Sequence, residues 1–143
     1  MKRLSIFKKK TMQASVLASV LTATVAVAGT FPGGWCTSGV AQVKGTNGSL
    51  PWSGNAKDWC TNAKNALGSS YVGTTQKTGA IVVFPGNSVS SIGHVGIVTG
   101  YNTMKSMNYL TYGAWSNSSI LTYPNSKYHV NPSCYIYYNM SKI

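Results

Sequence analysis

The sequence is almost without acid. Asp58 is the only acidic side chain among 143 residues, and glutamate does not occur at all. Paired-carboxylate catalysis is thereby excluded, because it needs two such groups. An oxygen-rich calcium cage lacks its ligands for the same reason, and a Ser-His-Asp triad would have to recruit Asp58 itself. Arginine is missing after Arg3, the lysines are scattered and no base-reading motif appears, which argues against nucleic acid as a partner. Cysteine is scarce: Cys36, Cys60 and Cys134 form neither a CxxC pair nor a His/Cys ligand spacing, so no metal site and no cofactor are expected. No repeat, heptad or separate binding module is visible. Chemistry must come from Cys, His, Ser, Thr, Tyr, Lys or amide groups.

Positive charge is what the chain has in excess, with 12 basic residues against the one acidic residue. Five of the twelve lie in Met1–Lys10, ahead of an uncharged Ala/Val/Leu-rich stretch that closes on Ala26-Val27-Ala28. A basic start, a short apolar run and a small-x-small ending are the pattern of a secretory signal peptide. We expect residues 1–28 to be that signal and residues 29–143 to be one domain; the competing reading is an uncleaved anchor, for which the run is short and dotted with Thr and Ser. Past the signal, seven lysines face Asp58, a net charge of +6. An exported domain so charged is drawn to anionic polymers such as those of a bacterial envelope; alternatively the charge only keeps a small polar domain in solution.

The pattern predicts an α+β domain. Thr37–Val43 reads as a short helix weakened by Gly39, and Asn55–Leu67 as the best helix, with apolar residues at i, i+3, i+4 and Asn55 as its cap. Gly68 stops it. Beyond Ser69 the period changes to that of strands: Ala80–Phe84, Val95–Tyr101, Tyr109–Ala114, Ser119–Tyr123 and Tyr135–Tyr138, about five antiparallel strands segregated from the helices.

Two residues stand out chemically. Cys36 follows Phe31-Pro32-Gly33-Gly34-Trp35 where a Gly-rich loop turns into the first helix. There, unpaired amides and the helix dipole favour a thiolate, and the cysteine's own N–H is placed to hold an oxyanion. The ordinary alternative is a buried small hydrophobe. His94 lies at Ser91-Ile92-Gly93-His94-Val95-Gly96, where a polar loop enters a strand. A thiol nucleophile needs such a base nearby. The other histidine, His129, falls in a late turn and reads as an ordinary loop residue. An odd cysteine count permits one disulfide at most and leaves one thiol over.

The order of these features resembles the CHAP domain, a cysteine/histidine-dependent amidohydrolase/peptidase related to NlpC/P60 peptidases. The matching segments are Gly34-Trp35-Cys36-Thr37, Trp52-Ser53-Gly54-Asn55-Ala56-Lys57-Asp58-Trp59, Thr78–Pro85 and Gly93–Val98. The resemblance implies a papain-like layout, with short N-terminal helices packed on an antiparallel sheet. It also implies Cys36 as nucleophile, His94 as base, and cleavage of a peptidoglycan amide bond through a thioester. The implied substrate bond is that between muramic acid and L-alanine, or one within the stem or cross-bridge peptide. The family usually carries a Glu or Asn after the histidine strand to orient the imidazole. Here no glutamate exists, and Asn117 is the expected orienter, with Ser116, Asn108, the Tyr112 hydroxyl or a backbone carbonyl as alternatives. With Cys36 assigned as nucleophile, Cys60 and Cys134 are expected to form the disulfide, two buried free thiols being the alternative. The expected protein is secreted or wall-associated, monomeric, and engaged with peptidoglycan, with anionic wall polymers as a further expected partner. The rival expectations are a catalytically impaired cationic wall-binding protein and a bacteriocin-like lytic factor.

Overall fold

The computed structural model describes residues 28–143; the expected signal peptide lies outside the described residues, apart from Ala28. A short strand, β1 (Gly29–Thr30), precedes helix α1 (Cys36–Lys44) and pairs antiparallel with β2 (Ser49–Leu50). A 3-10 turn at Ala56–Asp58 leads into α2 (Trp59–Leu67), and another at Ser69–Tyr71 into β3 (Val72–Gly73). Then follow β4 (Ile81–Phe84), β5 (His94–Gly100), β6 (Thr103–Met107), β7 (Trp115–Ser119) and β8 (Cys134–Ile136). The main sheet has six antiparallel strands in the order β3-β8-β4-β5-β6-β7, so the last strand inserts beside β4 rather than at an edge. The α+β, helix-on-sheet expectation holds, with one more strand than expected.

Period-two alternation sorts the sheet into two faces. Ile81, Val83, Val95, Ile97, Cys134 and Ile136 pack with Val40, Ala41, Trp59 and Ala63 of the helices. Ala80, Val82, Phe84, Val98, Met104 and Tyr135 form a second cluster, closed by Ile120 and Tyr123 from the loops after β7. Helix α1 lies close against the sheet because Gly39 offers no side chain: a Cβ there would meet Met107 Cβ at 2.8 Å. At its far end Lys44 is fully buried, and its ammonium donates to the carbonyls of Gly79, Asn139 and Lys142. Burial, with the charges of Lys105 and Lys142, pulls its pKa down to about 8. This knot ties α1 to the C-terminal segment.

The element boundaries differ from expectation in instructive places. Asn55 caps nothing with its side chain, and the α-helix proper starts only at Trp59, after the 3-10 turn. Tyr109–Ala114 is a loop, turned by Asn108 at φ 57° and Gly113 at φ 73°. Ser119–Tyr123 leaves the sheet after Ser119 and folds Ile120 and Tyr123 over the second cluster. The strands actually present there, β6 and β7, are polar in sequence. β7, Trp-Ser-Asn-Ser-Ser, is the edge strand, where an apolar pattern has nothing to pack on.

Candidate active site

Cys36 is the first residue of α1 and is only 6 % exposed. The turn before it is built on Gly34 at φ 84°, a conformation open to glycine. A Cβ on Gly34 would also lie 2.5 Å from the Tyr112 ring. That ring stands edge-on to Trp35, with centroids 5.9 Å apart, and its hydroxyl donates to the Gly33 carbonyl at 2.9 Å. Tyr112 therefore clamps the turn that leads into Cys36 and does not line the cavity that holds His94. Burial pushes the Cys36 thiol up, against the opposing pull of backbone N–H donors from Val95, Thr37 and Cys36 itself. The Val95 donor directly follows His94, so the sulfur sits against the start of β5.

His94 opens β5 and pairs with Phe84 of β4, which puts its ring on the face away from α1. Gly93, at φ 80°, carries the chain there through a gap in which a Cβ would lie 2.6 Å from the Phe84 oxygen and 2.7 Å from the Lys57 nitrogen. The imidazole stacks on Tyr123 at 4.9 Å and 11°, with Tyr109 at 6.1 Å. Its Nε2 is buried without a hydrogen-bond partner. Desolvation lowers the pKa of His94 to about 4, so the ring is neutral at pH 7 and free to accept a proton.

Cys36 and His94 line one cavity of about 290 Å³, with Trp35, Asn108, Tyr109 and Tyr123. A second cavity of about 450 Å³ opens on the other side of Cys36. Trp35, Cys36 and Ile92 belong to both, so a chain laid across them would pass the sulfur at the junction. This arrangement suits attack on an internal bond of an extended substrate, with one flank in each cavity.

The structure does not bring Asn117 to His94. It lies on β7, two strands from β5, and pairs with Lys105, which pairs with Ile97 on the α1 face. His94 is on the opposite face, and Asn117 lines a separate hollow with Val43, Lys105, Trp115 and Ser116. Asn108, one of the alternatives, follows β6 directly and shares the cavity with His94. His129 is exposed in a turn outside that cavity. Tyr109 and Tyr123 were not singled out by the sequence; only the fold carries the loops after β6 and β7 back over β5. Cys60 and Cys134 form the expected disulfide, which leaves Cys36 as the free cysteine.

The burial of His94 fixes a pH dependence. Its folded pKa lies below the ordinary value of 6.5, so between about pH 6.5 and 4 the unfolded chain binds the extra proton. The stability linked to His94 is complete above pH 6.5 and is lost as pH falls through 4. A shift of that size corresponds to about 3 kcal/mol. The side chains against the ring are Tyr123 and Tyr109. Urea unfolding followed from pH 7 to pH 4 should show this loss, and His94→Gln should flatten it.

None of the curated proteins compared with the chain matches it. The family model of the CHAP domain matches residues 27–114, a span that holds Cys36, His94, Asn108 and Tyr112 and ends before Asn117. That is more than half of the chain, and the chain belongs to the CHAP domain family, the cysteine/histidine-dependent amidohydrolases and peptidases.

Proposed function

We propose that this protein is a secreted peptidoglycan hydrolase that cleaves an amide bond of the cell wall through a thioester on Cys36. The observation that carries this reading is the meeting of a free cysteine at a helix start and a neutral buried histidine in one cavity. As the sulfur attacks the amide carbonyl, His94 takes the thiol proton, and a C–S bond forms while the carbonyl becomes an oxyanion. The backbone N–H of Cys36 is the oxyanion donor. Collapse of the adduct breaks the C–N bond, and His94 returns the proton to the departing amine. Water, deprotonated by His94, then cleaves the thioester, releasing a carboxylate and restoring the thiol. Asn108, which lines the same cavity as His94, rather than Asn117, is the residue we propose to orient the imidazole during turnover; an amide can do this without charge, which fits a chain lacking glutamate. The stack on Tyr123 fixes the ring plane.

Outside the cell the domain works as a monomer without a cofactor, and its +6 charge concentrates it on anionic wall polymers. Digestion of purified sacculi, followed by mass spectrometry of the soluble fragments, is the test. Each cut should yield one new amine and one new carboxylate at a single type of amide bond. Sacculi that bind the protein but release no fragments would overturn the reading in favour of a wall-binding role.

A further inference from the structure

The one carboxylate of the chain stands in the cavity beside the nucleophile. Asp58 lines the 450 Å³ hollow that ends on Cys36, together with Phe31, Pro32, Trp35, Asn55 and Ile92. An aspartate at the start of a helix is ordinarily explained by capping. Asp58 occupies the cap position of α2 with φ −93° and ψ −5°; its charge suits the helix start, but its side chain makes no capping hydrogen bond. It is exposed, and among the described residues no lysine lines the same cavity. Lys57, its sequence neighbour, has its Cβ turned against Gly93. Asp58 is the one acidic side chain of the sequence, and it lines this cavity.

We propose that Asp58 makes this cavity a subsite for an aliphatic ammonium group on the substrate, so that the bond cut lies in a peptide bearing a free amine. This rests on the hydrolase reading above and narrows it from a wall amide in general to a peptide amide flanked by a cation. Phe31, Pro32, Trp35 and Ile92 supply apolar walls for the methylene stem of a diamino acid, and Asp58 receives its charged end. The same chemistry is offered by a free peptide N-terminus, and the two sources place the charge at different distances from the cut bond. Because the ion pair forms equally in ground and transition states, it acts on KM more than on kcat.

The test uses the full chain and three synthetic stem peptides: one with a free side-chain amine, one with a free α-amine and one acetylated at both. The expected kcat/KM ratio of the preferred amine peptide over the acetylated one is about fivefold, in the range of a part-exposed ion pair. In Asp58→Asn that ratio should fall to about one, with the change in KM. Which single-amine peptide is preferred identifies the source of the ammonium. Equal cleavage of all three by the native chain, or an undiminished ratio in Asp58→Asn, overturns the proposal while leaving the hydrolase reading intact. Binding of the same peptides to the Cys36→Ser chain, read from Trp35 fluorescence, decides the point without turnover. If the native chain cleaves nothing, the hydrolase reading fails, but a binding preference abolished by Asp58→Asn still upholds the subsite. Equal binding of all three peptides removes it.

Discussion

Cys36→Ser and His94→Ala are each expected to lower the release of wall fragments by at least about a thousandfold, and the double variant by little more than either alone. The first change removes the only free thiol, and a serine hydroxyl is a far weaker acid and nucleophile than the thiol it replaces. The second removes the group that receives the thiol proton and returns it to the amine, steps worth about a hundred- to ten-thousandfold. Because the two side chains act on one proton transfer, their losses do not add. Ala at position 94 also leaves a hole beside Tyr123 and Phe84, so His94→Gln is the companion variant that keeps the stack filled. Thermal melts of both would separate lost chemistry from lost folding. The geometry makes a finer distinction as well. Asn108→Ala should slow turnover by about one order of magnitude through a poorly held imidazole, whereas Asn117→Ala, on the far face and two strands away, should not. Wall lysis retained in Cys36→Ser would end the thioester mechanism.

The contrast between those two asparagines shows how far the residues alone could lead. Cys36 and His94 could be singled out because each has a local signature. A Gly-rich turn into a helix and a polar loop into an apolar strand are both written in contiguous residues. The orienter has no such signature. Its identity depends on which strand follows β5, and the sequence misplaced that strand. Tyr109, Leu110 and Tyr112 carry β propensity, yet that segment is a loop, turned by Asn108 in the left-handed region. The true neighbour, Thr-Met-Lys-Ser-Met, has little apolar alternation to announce it. It pairs because the turn at Tyr101-Asn102, with Asn102 at φ 54°, folds the chain straight back on β5. Asn117, expected just after the strand that follows the histidine, instead lies within β7 and lines a hollow apart from His94. Tyr123 escaped notice for a related reason. An aromatic residue after an edge strand reads as an ordinary core residue, and its stack on His94 exists only once the loop returns across the sheet. The central strands, by contrast, were legible, β4 as a plain apolar run and β5 as an alternating one.

Removing the disulfide should cost the domain about 4 kcal/mol. Cys60 on α2 and Cys134 on β8 are 74 residues apart in sequence, and closing a loop of that length restricts the unfolded chain by roughly this amount. A domain of this size holds only about 5–15 kcal/mol in total, so the loss is a large fraction. The consequence reaches the site by a short path. Lys57, in the turn that leads into α2, donates its backbone N–H to the Ile92 carbonyl at 3.0 Å. Ile92 lines both cavities, and Gly93 and His94 follow it directly. Loosening α2 from β8 thus loosens the loop that presents the base. The variant to make is Cys60→Ser with Cys134→Ser, since a single substitution would leave a second thiol able to trap Cys36. Denaturant unfolding should show a lower midpoint with a steeper slope, because the unlinked unfolded chain exposes more surface, and the melting temperature should fall by about 15 °C. Activity at low temperature should survive, because Cys36 takes no part in the bond, and should vanish on warming well before that of the native chain. Non-reduced peptide mapping supplies the check on the premise: a fragment joining Cys36 to Cys60 or Cys134 would remove both the stabilising bridge and the nucleophile at once.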